Sequence, residues 1–188
     1  ECDFSGEWKY DADKHWKECE CGLKSEEGAH SGSMVICTEK AVCETCSAEY
    51  EEKDKIIHDE TVEYVNGFCP NCDDYEPAVD SDSDGYYEIG NAGQLYWFAD
   101  KAKNDRTNYG SANAILTQNI VVNENVLTAD GKLNGSGSDF RAWIPPYSYK
   151  GTFDDAGKTV SGLYIKDTEE RDVGFIGYLY GGTVKNLT

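Results

Sequence analysis

T-V-S-G-L at residues 159–163 returns as T-V-K-N-L at residues 183–187, a short internal repeat in the second half of the chain. The two copies share the pattern T-V-x-[GN]-L. Their spacing, from residue 159 to residue 183, lies in the range of periods found in solenoid proteins. Because there are only two copies and T-V is common in strands, the pattern alone leaves a β-solenoid and a β-sandwich both open.

The sequence around this repeat predicts a mainly β fold with one helix. Asn91 and Gln94 form an N-x-x-Q pattern that resembles a capping box, and the apolar residues after it follow helical spacing. We therefore expect a single helix at about 91–103. Strands are predicted in the β-rich segments separated by Gly, Asn and Asp: 86–89, 113–122, 152–153, 159–165, 173–179 and 183–187.

Length and charge exclude several classes of function. The chain has 188 residues, too few for a (β/α)₈ barrel, which needs about 250. Its 36 acidic and 17 basic residues give a formal net charge of −19, so DNA, RNA and anionic membranes would be repelled. No apolar run approaches the ~20 residues of a membrane span, so we expect no membrane insertion within this chain.

Composition divides the chain near residue 72. All eight cysteines and all three histidines lie in residues 1–72, which otherwise hold few apolar residues. A segment this small and polar needs cross-links or metal in place of a core. We expect a Cys/His-rich module at 1–72, an acidic linker at 73–85 and a β domain at 86–188.

The donor spacing in the module favours structural zinc. Cys37, Cys43, Cys46 and His58 supply three thiolates and one imidazole, a set that completes the tetrahedron preferred by Zn²⁺. An alternative grouping pairs the knuckle at 43–46 with the second C-x2-C knuckle, Cys69 and Cys72. We favour the first grouping because it uses every donor between residues 37 and 58, which leaves Cys69 and Cys72 without an assigned set.

A second set of donors lies upstream, and here the sequence offers five candidates for four positions: Cys2, His15, Cys19, Cys21 and His30. A disulfide framework is the competing interpretation, since eight cysteines is an even number. A bridge within C-x2-C or between Cys19 and Cys21 would close a very small loop, which favours metal. Closed four-donor sets leave no position for a catalytic water, so we expect two or three structural zinc ions.

The Cys/His-rich segments resemble the repeats of large surface proteins of gut Firmicutes, which contain zinc-ribbon-like units. The likeness rests on residues 3–11, on H-W-K-E-C-E-C-G at 15–22 followed by His30, on C-T-E-K-A-V-C-E-T-C at 37–46, and on N-G-F-C-P-N-C at 66–72. A histidine often stands in such repeats where this chain has Cys2. The resemblance therefore implies that Cys2, Cys19, Cys21 and His30 form the first site and that His15 is the spare donor.

The second half resembles the start of a right-handed β-helix of the GLUG-motif kind. The likeness rests on Y-E-I at 87–89 with N-A-G-Q-L-Y-W-F-A at 91–99, on W-I-P at 143–145, on residues 151–165, and more loosely on 173–179. Asp155 and Ala156 depart from the usual Gly-Asn or Gly-Asp pair. The resemblance implies a helix capping the first coil and an extracellular setting, on the bacterial surface or secreted.

Two further segments invite ligand sites. Asp80, Asp82 and Asp84 followed by Gly85 match the first half of a calcium loop, but position 12 is Asn91 where a bidentate Glu is needed, which favours a solvated acidic linker. The aromatic run at 143–149 could stack on sugar rings. The competing interpretation is that Trp143 and Ile144 close the end of the solenoid.

We expect no catalytic residues in this chain. Residues 73–188 contain no His or Cys, and the acidic and basic side chains there show no catalytic spacing. The leading hypothesis is a zinc-stabilised display or adhesion module that meets a protein or glycan on a host or neighbouring cell. The alternative is an accessory segment of a larger carbohydrate-active enzyme or peptidase. If the chain stops inside its solenoid, the open last rung predicts edge-to-edge self-association.

Overall fold

The computed structural model describes residues 2–32, 37, 40–50, 58, 63–166 and 172–186, and it is mostly strand with little helix. The chain divides into two compact units, Glu1–Glu63 and Tyr64–Thr188. The sequence analysis placed this boundary at residue 72. The structure instead groups residues 64–72 with the second unit, because Phe68 is buried in the core of that unit.

The first unit is built from short antiparallel strands. Strands β1 (Lys9–Tyr10), β2 (Lys14–Glu18) and β3 (Lys24–Ala29) form one sheet in that order. Strands β4 (Ala41–Val42) and β5 (Glu49–Tyr50) form a hairpin. Its described buried residues are few and mostly small or sulfur-bearing: His15, Cys19, Ala41, Cys43 and Ala48. So small a set cannot supply the apolar burial on which a domain of this size usually depends.

The second unit consists of a helical segment and parallel strands. After β6 (Tyr86–Ile89) come helix α1 (Ala92–Asn104) and the short helix α2 (Arg106–Tyr109). The later strands are β7 (Asn113–Leu116), β8 (Ile120–Val121), β9 (Tyr147–Tyr149), β10 (Thr152–Asp154), β11 (Val160–Ser161), β12 (Tyr178–Leu179) and β13 (Thr183–Lys185). A 3₁₀ turn covers Gly137–Asp139.

These strands form three parallel sheets whose registers agree. One sheet has the order β13-β10-β7-β6, and the others are the pairs β11-β8 and β12-β9. Phe153 pairs with Ala114, and Val160 pairs with Ile120, offsets of 39 and 40 residues. Thr183 pairs with Thr152, and Tyr178 pairs with Tyr147, both 31 residues apart. Neighbouring sheets thus advance along the chain by nearly the same step.

The internal repeat seen in the sequence does not correspond to this step. Val160 of the first copy pairs with Ile120, whereas Val184 of the second copy pairs with Phe153. The two copies therefore lie in different sheets. The shared letters arise because both segments are β-rich strands, and the expectation that 183–187 repeats the rung at 159–163 is wrong for the residues described, which end at Asn186.

Helix α1 confirms the predicted helix at 91–103. Asn91 is its N-cap, and the Asn91 side chain accepts a hydrogen bond from the Gln94 backbone N–H. The Gln94 side chain accepts from the Gly90 N–H rather than from Asn91, so the capping box is shifted by one residue at its return bond. The buried face of α1 includes Leu95, Phe98, Ala99 and Ala102, and it packs in the main core cluster of this unit with strand residues such as Ile89 and Phe153.

Two other features of the second unit bear on the sequence analysis. Ala78, inside the predicted linker at 73–85, is buried in the core, and Val79 forms a β-bridge with Glu88. Between β8 and β9 the chain makes a long excursion that contains the turn at 128–132, in which the Gly131 N–H donates to the Thr128 carbonyl. Among the described residues, no helix has the length and apolar character needed to cross a membrane.

Candidate metal centre

Four donors from three parts of the first unit converge on one point: His15, His30, Cys43 and Cys46. His15 lies on β2, and His30 follows the end of β3. The β2–β3 register, in which His15 faces Gly28, brings the two histidines to one end of the hairpin. An isolated bridge between Gly32 and Cys43 then places the knuckle at 43–46 beside them.

The distances between the donors fit a shared tetrahedral ion. Cys43 Sγ lies 3.5 Å from His15 Nδ1, and Cys46 Sγ lies 3.6 Å from His30 Nδ1. A zinc ion with bonds of about 2.3 Å to sulfur and about 2.05 Å to nitrogen, at a tetrahedral angle, sets its S and N ligands about 3.6 Å apart. All four donor atoms lie within 4.8 Å of one another. Two thiolates and two imidazoles are a set that zinc prefers.

A contact behind His30 fixes which nitrogen faces the cysteines. His30 Nε2 lies 3.0 Å from the carbonyl oxygen of Asp11. Because a carbonyl can only accept, Nε2 carries the proton, and the lone pair of Nδ1 points toward the sulfurs. This is the outer-shell arrangement that orients histidine ligands in metal sites. The Asp11 side chain holds its own turn in place by accepting from the N–H groups of Asp13 and Lys14.

Aromatic side chains enclose the two imidazoles. Tyr50 stacks on His30 with ring centroids 5.2 Å apart, and Trp8 meets His15 edge-on at 5.0 Å. A Cβ atom added at Gly28 would stand 3.1 Å from His15 Nε2, so a larger residue there would press on the ring. Packing on these sides restricts how far either imidazole can rotate away from the sulfurs.

The electrostatics favour the charged form of one thiol. Burial opposes ionisation of Cys43, but hydrogen bonds from His30 and from the backbone N–H groups of Ser31 and Cys46 outweigh it, and the pKa of Cys43 falls to about 5. The same sulfur and the Asp11 carbonyl raise the pKa of His30. Burial raises the pKa of Cys46. The centre therefore already holds a thiolate, which is the form that binds metal.

This grouping differs from the sequence-based expectation. His15, which the resemblance left as the spare donor, stands beside Cys43, and His30 stands beside Cys46 rather than with Cys2, Cys19 and Cys21. Cys37 and His58 are not among the four. The linear spacing misled because the β2–β3 hairpin folds His15 and His30 onto a knuckle that follows later in the chain. The strand pairing of His15 with Gly28 is the signal that would have revealed this.

The expected first site is replaced by a three-cysteine group. Cys19 and Cys21 are joined by a disulfide, the bond that the sequence analysis considered unfavourable. Cys2 Sγ lies 3.3 Å from Cys21 Sγ. The tight turn that closes the pair is stabilised by a hydrogen bond from the Gly22 N–H to the Cys19 carbonyl. With His30 engaged elsewhere, this group has three sulfurs and lacks the imidazole that we expected.

The second knuckle, in the second unit, is built like the first. Cys69 N–H donates to the Asp74 carbonyl and Asp73 N–H donates to the Cys69 carbonyl, just as Cys43 N–H donates to Ala48 and Ser47 N–H to Cys43. Asp73 and Ser47 occupy equivalent places with φ values of 65° and 58°. The matching turns give Cys69 and Cys72 the backbone of a metal-binding knuckle.

The other candidate segments serve structural roles. Asp80 accepts from the Gly85 N–H, and Glu88 accepts from Ser81, so the acidic group Asp80, Asp82 and Glu88 hydrogen-bonds its own turn. Trp143 is buried and packs against Phe175, whereas Ile144, expected to close the solenoid with it, is exposed.

Comparisons of the chain with the models of protein families, with curated proteins and with solved structures find no match.

Proposed function

We propose that the first unit is a structural zinc module and that the whole chain is a non-catalytic display or adhesion segment of a bacterial surface or secreted protein. The observation that carries the zinc assignment is the closed set His15, His30, Cys43 and Cys46, with donor distances that match one tetrahedral ion. Four protein ligands leave no coordination position for water, as in structural rather than catalytic zinc sites. The ion would replace the apolar core that this unit lacks.

The second unit supports a display role through its repeated strands. Three parallel sheets that advance by similar offsets are what successive coils of a β-helix produce, with one strand per face in each coil. We infer that this unit is the first part of a right-handed β-helix, with α1 packed over its first coil. A β-helix presents long, regular outer faces, which suit binding more than they suit enclosing a reaction.

Metal analysis of two single variants tests the zinc assignment. The purified chain should contain zinc, and His30→Ala and Cys46→Ser should each lower the zinc content by about one ion per chain, because three donors bind Zn²⁺ less tightly than four. Cobalt(II) exchanged into the protein should show the visible spectrum of tetrahedral thiolate coordination, and both variants should lose part of it. Glu44→Gln, in the same knuckle turn but not a donor, is the matched control.

Two results would overturn the assignment. One is a zinc content that is the same in the wild-type chain and both variants. The other is a folded wild-type chain without zinc in which Cys43 and Cys46 are oxidised, as shown by thiol titration under denaturing conditions.

A further inference from the structure

Three tyrosines form an exposed aromatic surface on the second unit. Tyr147 and Tyr178 stack with ring centroids 5.5 Å apart, and Tyr178 and Tyr180 lie 6.2 Å apart with their planes within 34°. Their exposed fractions are 41%, 43% and 59%, whereas the neighbouring Tyr149 is 1% exposed. Large aromatic side chains left this open on adjacent strands need an explanation.

A local irregularity turns these rings outward. In a regular strand Tyr147 and Tyr149 would point to the same face, because side chains alternate. Ser148 between them has a φ of 59°, and the pairing of β9 with β12 shifts register at this point. Tyr149 therefore stays in the core while Tyr147 faces out beside Tyr178. Bulges of this kind often redirect side chains next to functional sites.

Two cations accompany the rings. The guanidinium carbon of Arg106 lies 5.7 Å from the ring centroid of Tyr147, and Lys150 Nζ lies 5.5 Å from that of Tyr180. Within the described part of the chain, neither cation forms an ion pair. In a chain with a net charge of −19, two unneutralised cations side by side mark a local anion-binding position.

Rings and cations border one open cleft of about 370 Å³. Its lining consists of Arg106, Gly110, Ser111, Ser148, Lys150, Tyr178 and Tyr180, with no acidic side chain. We propose that this cleft binds a saccharide that carries a carboxylate, with the tyrosine faces stacked on the sugar ring and Arg106 and Lys150 on the carboxylate. Arginine pairs with carboxylates through two parallel hydrogen bonds, and the serine hydroxyls can serve the sugar hydroxyls.

The net charge separates this ligand from a nucleic acid. Stacked aromatic rings with cations also suit bases and phosphates, but a polyanion would be repelled by the chain as a whole. A short saccharide with one or a few carboxylates would not. Because the inference names the ligand of the proposed adhesion function, it rests on that function.

Binding is measured by NMR titration of the isotope-labelled full chain with four probes. Sialyllactose and trigalacturonic acid carry the carboxylate on different sugars, lactose is the neutral partner of the first, and a short oligothymidylate represents nucleic acid. We expect at least one acidic saccharide to shift resonances of the cleft and to bind at least about fivefold more tightly than lactose, a factor that corresponds to ~1 kcal/mol. The stronger of the two acidic probes identifies the type of sugar.

Variants in the cleft separate stacking from charge. Tyr180→Ala and Lys150→Gln should each weaken binding about fivefold or more. Tyr180→Phe keeps the ring face and should bind like the wild type. Lys132→Gln removes an exposed charge elsewhere in the same unit, where the Lys132 side chain is 80% exposed, and should change nothing. All four positions are on the surface, and circular dichroism of each variant verifies its fold.

The inference is overturned if neither acidic saccharide binds, if lactose binds equally well, if only the oligonucleotide binds, or if Tyr180→Ala and Lys150→Gln bind like the wild type. Chromatography of the saccharides after incubation tests the function itself. Turnover would refute the non-catalytic function while leaving the cleft as a binding site, whereas intact saccharides without binding would refute only the cleft.

Discussion

Single residues in this molecule matter most where the backbone comes close to another segment. Gly93, in the first turn of α1, lies against Gly67, and its N–H donates to the Asn66 carbonyl. A Cβ atom added at Gly93 would stand 1.6 Å from the Gly67 carbonyl oxygen. The sequence suggested that this position belongs to a helix, but it could not show what approaches the helix from residues 66–67.

We therefore predict that Gly93→Ala destabilises the second unit. Helix propensity alone favours alanine by about 1 kcal/mol, but the collision with backbone that cannot move aside should cost about 2–3 kcal/mol and reverse the sign. Thermal unfolding followed by near-ultraviolet circular dichroism measures the change. Gly6→Ala, where no atom lies within 4 Å of the added Cβ, is the control. A Gly93→Ala variant as stable as the wild type would contradict the packing described.

At the scale of elements, a charge pair attaches the segment before β6 to the rest of the second unit. Both oxygens of Asp73, in the second knuckle turn, accept from the Arg141 guanidinium, which also lies 3.8 Å from the Phe68 ring centroid. This contact helps explain why residues 64–85 belong to the second unit rather than forming the linker that their acidic composition indicated. Composition reports solvation of the segment, not the partner that one of its carboxylates meets across 68 positions of sequence.

The pair predicts a pH-dependent contribution to stability. The hydrogen bonds from Arg141 lower the pKa of Asp73 below its ordinary value of 3.8. A carboxylate with a lowered pKa stabilises the fold above its unfolded pKa, and this contribution disappears as the pH falls through the lower, folded value. Because the Asp73 side chain is 67% exposed, we expect Asp73→Asn to cost below about 1 kcal/mol at pH 7.

Urea unfolding of wild type and Asp73→Asn at pH 7 and at pH values below 3.8 measures this difference. The two proteins should differ at neutral pH and converge in acid. Asp130→Asn, which removes a carboxylate from an exposed pair with Lys132, is the matched control. A difference that persists or grows in acid would show that Asp73 acts through something other than its charge.

For the molecule as a whole, the distribution of donors separates what depends on metal from what does not. The chain beyond residue 72 has neither cysteine nor histidine, and the core of the second unit is aromatic and aliphatic. The sequence alone indicated this division, as well as the mainly β character and the helix. It could not indicate which donors meet, because that depends on strand pairing, or the parallel register, because the repeat letters do not follow it.

Removal of metal should therefore act on the first unit. With a strong zinc chelator present, we expect the environments of Trp8 and Trp16 to become those of an unfolded chain, while Trp97 and Trp143 keep their native signals, because binding energy is folding energy only where the ligands are. Indole resonances of the four tryptophans, assigned by single Trp→Phe variants, provide the measurement. Excess zinc should restore the first pair. Equal loss of all four signals would mean that the second unit also depends on metal.

The long excursion between β8 and β9 has a consequence for how this scaffold tolerates change. The step from β8 to β11 is 40 residues and that from β9 to β12 is 31, yet both pairs keep parallel registry. Extra chain is thus absorbed outside the stacked strands, and the turn around Gly131, with nothing within 4 Å of its hypothetical Cβ, lies at such a place. A foreign peptide grafted between Asp130 and Gly131 would be carried as cargo, because the cost of a longer loop grows only slowly with its length.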